Sequence, residues 1–98
     1  MKNKKWYCIE AEFGHVGAGH SIRADIYIYT FDPIEVLNKY GKIPRVKKKN
    51  KIPTIRELFH DEACEIERRI ISEKGSKYIK DIKKSSGVYI PKGILDHA

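Results

Sequence analysis

Cysteine is scarce in this chain and long hydrophobic runs are missing, and these two shortages exclude several classes of protein. Two cysteines in 98 residues, Cys8 and Cys64, are too few for the disulfide framework of a small secreted domain. They form no CxxC spacing. No segment approaches the roughly 20 apolar residues of a membrane helix, and residues 1–5 lead into a strand-like segment instead of a signal-peptide core. We therefore expect a cytoplasmic protein with free thiols.

Acidic residues are outnumbered, with 13 against 20 lysines and arginines and a net charge of +7. This balance favours an anionic partner. Residues 42–51 carry six positive charges and no acid, and residues 74–92 carry six lysines and one acid. The segment between them, 54–73, has three arginines against six acids. The residues predicted to bind nucleic acid lie in the two basic segments: Lys42, Arg45, Lys47, Lys48, Lys49, Lys51, Lys80, Lys83 and Lys84.

Two segments alternate between apolar and polar residues, which predicts β-strands over 6–13 and 21–31. Asp32, Pro33 and Glu35 have the spacing of a helix start, and Gly41 ends that helix. The spacing of Thr54 and Glu57 predicts a second, longer helix that runs to Gly75. Residues 45–52 form a basic connection or a short strand, 77–84 add helical turns, and 88–90 form a short strand.

This order of elements predicts a single α+β domain over residues 1–98. We expect a small antiparallel sheet, made of an N-terminal hairpin and one or two short strands, covered on one face by the short and the long helix. The open face would then expose Tyr27 and Tyr29 near Arg23, which makes the two tyrosines candidates for base stacking. Cross-strand packing is the alternative and the favoured interpretation.

The sequence FGHVGAGH lies between the two strands of the hairpin. Its glycines allow a backbone nest for an anion, so the candidate anion-binding loop consists of Gly14, His15, Gly17, Gly19 and His20. The loop joins strand to strand, however, and lacks the spacing of the known phosphate loops. A glycine-rich hairpin turn is therefore the favoured interpretation. As a weaker alternative, His15 and His20 would serve a metal-independent ribonuclease as acid and base.

His60 and Cys64 lie four residues apart on the long helix and so share one face, a workable spacing for two metal ligands. Nothing in the sequence requires a third ligand to join them. A satisfied or solvent-facing histidine beside a buried cysteine is therefore the favoured interpretation of the pair. We expect no cofactor and less than about one zinc per chain.

GHVG at 14–17 and PRVK at 44–47 resemble an uncharacterised family of small bacterial proteins in which these motifs occur in this order. The similarity covers roughly residues 6–50. Members tend to have Cys before GHVG and histidines after PRVK, whereas this chain has Phe13 and Lys48, Lys49 and Asn50 there. The resemblance implies a common fold and no known activity.

The hypothesis favoured by these patterns is a small basic accessory protein that binds nucleic acid, RNA more readily than DNA, without catalytic activity. The alternative is a protein-interaction module, such as an inhibitor or adaptor that comes from a mobile element and binds a larger nucleic-acid-processing complex.

Overall fold

The structure is a computed structural model that describes residues 3–14, 21–43 and 53–91. Most of the glycine loop and the whole 45–52 connection lie outside these residues. The elements follow one another as β1 (Lys5–Gly14), β2 (Ser21–Thr30), α1 (Pro33–Gly41), β3 (Ile55–Glu57), α2 (His60–Lys74), α3 (Ser76–Ser85) and β4 (Val88–Tyr89).

The four strands form one antiparallel sheet in the order β3-β1-β2-β4. The β1–β2 hairpin is its centre, paired from Lys5 and Thr30 to Gly14 and Ser21. The short strands β3 and β4 pair with the outer edges of β1 and β2. This sheet and its three helices confirm the predicted α+β class.

Helices cover both faces of the sheet, and this arrangement differs from the expected one. On one face, Ile9 and Ile28 pack in a cluster with Val36 of α1. On the other, Trp6 and Cys8 pack in a second cluster whose helical members come from α2 and α3: Ile66, Ile70, Ile79 and Ile82. The reason is that β1 is apolar on both faces along its first half, so each face needs a cover.

α1 begins as predicted, because the Asp32 side chain accepts a hydrogen bond of 2.9 Å from the backbone N–H of Glu35. Val36 is fully buried, whereas Ile34 is 70% exposed. The helical turns predicted over 77–84 belong to α3, and the predicted last strand is β4. Among the described residues, no helix is both long and apolar enough to cross a membrane.

The predicted start of the long helix at Thr54 is wrong. Residues 55–57 form β3, and α2 begins only at His60, where the backbone N–H of Phe59 donates to Glu62 Oε1 at 3.1 Å. Pairing with β1 gives residues 55–57 cross-strand partners, and the Leu58 N–H donates to the Trp6 carbonyl at 2.9 Å. Tertiary contacts thus outweigh the local capping pattern.

Candidate nucleic-acid interface

The outward face of α3 carries a row of lysines. Ile79 and Ile82 are buried against the sheet, whereas Lys77, Lys80 and Lys84 are exposed. These three lysines lie three and four residues apart, so they are neighbours on one side of the helix, opposite its buried side. We call Lys77, Lys80 and Lys84 the lysine row.

None of the three ammonium groups of the lysine row takes part in an ion pair within the described residues. Asp81 is also exposed and lies on the same side of the helix, four residues after Lys77 and three before Lys84, so the three lysines outnumber one acid there. At 1.5 Å of rise per residue, the row extends about 10 Å along the helix. It therefore presents several positive charges from a rigid element.

Lys83 was predicted to bind nucleic acid, but its side chain contacts α2 and β2 instead. Its Nζ lies 2.8 Å from Glu67 Oε2 and 5.6 Å from the centre of the Tyr29 ring. Glu67 Oε2 also accepts a hydrogen bond of 2.8 Å from Trp6 Nε1. Lys83 is thus engaged in a structural contact, and its charge is balanced by Glu67.

Lys4 supports the C-terminal end of α3 through a contact that no sequence pattern indicates. Its Nζ donates to the carbonyl oxygens of Lys83 at 2.8 Å and Lys84 at 3.3 Å. A cation at these last carbonyls is favourable because the C-terminus of a helix carries partial negative charge. The two partners are about 80 residues apart in sequence, so no local pattern predicts the contact.

Tyr27 and Tyr29 lie on the sheet face that α2 and α3 cover, not on an open face. Both are half-buried. The Tyr29 ring centre is 5.1 Å from that of Trp6, and the Tyr27 ring stacks on Tyr89 at 6.3 Å. The two tyrosines therefore pack within the protein, as the favoured interpretation of the sequence had it.

Of the other predicted binding residues, Lys42 is exposed and follows directly on α1. Gly14 is the last residue of β1. The remaining candidates lie outside the described residues: Arg45, Lys47, Lys48, Lys49 and Lys51 of the basic segment, and His15, Gly17, Gly19 and His20 of the loop. Their roles stay predictions.

A shallow cleft of about 170 Å³ lies between α2, β2 and β3. Two arginines and two glutamates line it together with apolar residues: Tyr27, Arg56, Leu58, Glu62, Glu65, Ile66 and Arg69. Arg56 Nη1 contacts both carboxylate oxygens of Glu62, at 2.8 and 3.0 Å. This contact and the Phe59 N–H lower the pKa of Glu62. The opposing charges of the cleft give it no preference for an anion.

His60 and Cys64 meet on the solvent side of α2, with 3.6 Å between Cys64 Sγ and His60 Nε2. Cys64 is therefore exposed, and the prediction that it is buried is wrong. Cys8, by contrast, is a free thiol buried in the core. In the part of the chain that the structure describes, no three metal-binding side chains come together.

Comparison of the chain with protein-family models, with curated proteins and with solved structures gives no match. The resemblance carried by GHVG and PRVK therefore stays a prediction.

Proposed function

We propose that this protein is a small cytoplasmic accessory protein that binds RNA through backbone phosphates and catalyses no reaction. The observation that carries the proposal is the lysine row: three exposed ammonium groups, without ion pairs among the described residues, on one side of a helix whose other side is buried. Lysine binds phosphate as a point charge, so the row suits a backbone of any sequence.

RNA is the favoured ligand over duplex DNA because no described helix begins with a cluster of basic residues that could contact bases. α2 begins with Asp61 and Glu62 in its first turn, and the first turn of α3 contains Lys77 alone among charged residues. Sequence reading in the major groove usually needs base-contacting side chains at such a helix start. The lysine row instead extends from the first turn of α3 to its last, which suits contacts to the backbone of a flexible single strand.

The basic segment 42–51 supplies further charge to the same function. Lys42 is exposed at its start. Three phosphate contacts from the lysine row give a salt slope of about −2 for single-stranded nucleic acid, and each further contact adds about −0.7. The measured slope therefore reports how many lysines contact phosphate.

A titration of random-sequence RNA and DNA oligomers at several salt concentrations tests the proposal. In the triple variant Lys77→Gln, Lys80→Gln, Lys84→Gln, we expect weaker RNA binding and a slope closer to zero by about 2. The matched control, Lys2→Gln, Lys5→Gln, Lys39→Gln, removes the same charge elsewhere. Equal losses in both variants would show that only the net charge matters and would remove the lysine row from the interface.

The basic segment needs its own variant. Changing Lys47, Lys48 and Lys49 together to Glu is expected to abolish binding without lowering thermal stability, because surface charges contribute little to folding. Unchanged affinity in this variant would exclude the segment from the phosphate contacts.

A second candidate function, a protein-interaction module, is supported by apolar side chains that remain exposed around α1. Ile34 is 70% exposed, and Phe31 and Leu37 are 41% and 37% exposed. Exposed apolar side chains close together are typical of a surface that binds another protein. If neither RNA nor DNA binds even at low salt, this second function replaces the first.

A further inference from the structure

His60 and Cys64 have the geometry of half a zinc site. Both side chains are exposed on the first turns of α2, and Cys64 Sγ lies 3.6 Å from His60 Nε2. In a tetrahedral zinc site, Zn–S is about 2.3 Å and Zn–N about 2.0–2.1 Å, so a sulfur and a nitrogen ligand lie roughly 3.6 Å apart. The two atoms are thus already at the separation that zinc requires.

A zinc ion held here needs two further ligands, and the rest of the described chain does not bring a third metal-binding side chain to the pair. A second copy of the chain offers an identical pair. Two copies related by a two-fold axis would supply two sulfurs and two imidazoles, the Cys₂His₂ set of structural zinc sites. Thiolate and imidazole together favour zinc over the hard cations magnesium and calcium.

The surface around the pair suits contact between two helices. Phe59, the residue before His60, is 76% exposed, and Ile71, seven residues after Cys64, is 44% exposed. Residues 60, 64 and 71 lie at helical spacing, so Ile71 extends the same outward stripe of α2. The net charge of +7 on each chain opposes association, which means that the metal must supply the attraction.

We propose that His60 and Cys64 form a zinc half-site, and that zinc joins two copies of this chain through the solvent side of α2. The proposal goes beyond phosphate binding, because the pair lies on α2 and the lysine row on α3. It assigns one zinc ion to two chains and so departs from the expectation, drawn from the sequence, that the chain holds no stoichiometric metal.

The test uses the full chain without a histidine tag, freed of metal with a chelator and titrated with zinc. We expect sedimentation to show one chain per particle before zinc and two after it, with saturation at one zinc per two chains. Cobalt in place of zinc is expected to give the charge-transfer absorption of a thiolate ligand and the visible bands of a tetrahedral site.

Cys64→Ser and His60→Ala are each expected to abolish the zinc-dependent doubling and the cobalt spectrum. The matched control, Glu65→Gln, changes an exposed acidic residue of the same helix and is expected to retain both. A circular dichroism spectrum unchanged from the parent shows that each variant is folded. A particle of one chain at saturating zinc, one zinc per single chain, or doubling that survives Cys64→Ser would each overturn the proposal.

Discussion

Glu67 joins three parts of the molecule through one carboxylate oxygen. Oε2 accepts the indole N–H of Trp6 on β1 and pairs with the ammonium of Lys83 on α3, each at 2.8 Å. Trp6 is only 3% exposed, so its N–H depends on this acceptor instead of on bulk water. A single residue of α2 thus connects the sheet to the last helix.

At the residue scale, we expect Glu67→Ala to lower the free energy of unfolding by about 1–3 kcal/mol, because the buried indole N–H loses its partner. Glu67→Gln keeps an acceptor oxygen and is expected to cost less. Trp6 is the only tryptophan, so its fluorescence during urea denaturation reports the transition directly. The exposed Glu65→Ala serves as control, with a change within about 0.5 kcal/mol. Equal stability of the Glu67 and Glu65 variants would contradict the role of Glu67.

At the scale of elements, the junction between α2 and α3 depends on one glycine. Gly75 has φ of +93° and ψ of 161°, a conformation that side chains with a Cβ rarely adopt. Its N–H still donates to the Ile71 carbonyl at 2.9 Å, which completes the last turn of α2. The direction in which α3 leaves α2, and with it the placement of the lysine row, is therefore set at this residue.

Two Gly→Ala substitutions are expected to change stability in opposite directions. Gly75→Ala forces a Cβ into a strained backbone and is expected to cost about 1–3 kcal/mol, although no atom lies within 4 Å to clash. Gly41→Ala, in the last position of α1 and equally unobstructed, is expected to add about 0.5–1 kcal/mol. Urea denaturation of both variants checks the pair. A destabilised Gly41→Ala alongside a neutral Gly75→Ala would contradict the backbone argument.

For the whole molecule, thiol and phenol groups are buried on both sides of the sheet. Their burial is expected to make the folded state less stable at alkaline pH. Burial, and next the nearby Asp25 carboxylate, raises the pKa of Cys8 from 9.0 to about 11. Burial also raises the pKa of Tyr89, whose hydroxyl donates to the Glu73 carboxylate. The pKa values of three more tyrosines are raised, first of all by burial: Tyr7, Tyr27 and Tyr40. In every case the unfolded chain loses its proton first.

The contribution of Cys8 to the free energy of unfolding is therefore expected to be constant below about pH 9 and to fall as pH rises from 9 to 11. Each proton held only by the folded state contributes up to about 1.4 kcal/mol per pH unit. Urea denaturation between pH 7 and 10.5 measures this slope. Cys8→Ala removes one such proton and is expected to give a shallower slope, whereas a free energy that rises with pH would contradict the burial argument.

The sequence by itself determined most of the elements, because their causes are local. Alternation predicted β1 and β2, and the Asp32 cap predicted the start of α1. Four-residue spacing was enough to place Lys80 and Lys84 on one face of α3, and His60 and Cys64 on one face of α2. These periodicities follow from the backbone geometry of a helix or a strand and do not depend on contacts with another element.

Only the tertiary structure decided which residues those elements would contact. Residues 55–57 are a strand because β1 pairs with them, although their own pattern indicates a helix. Both faces of the sheet are covered, so Tyr27 and Tyr29 pack inside the protein. Lys83 pairs with Glu67, whereas Lys80 and Lys84 stay exposed. The reason is that Lys83, unlike the other two, lies on the side of α3 that faces α2. Such contacts join residues far apart in sequence, and no local spacing encodes them.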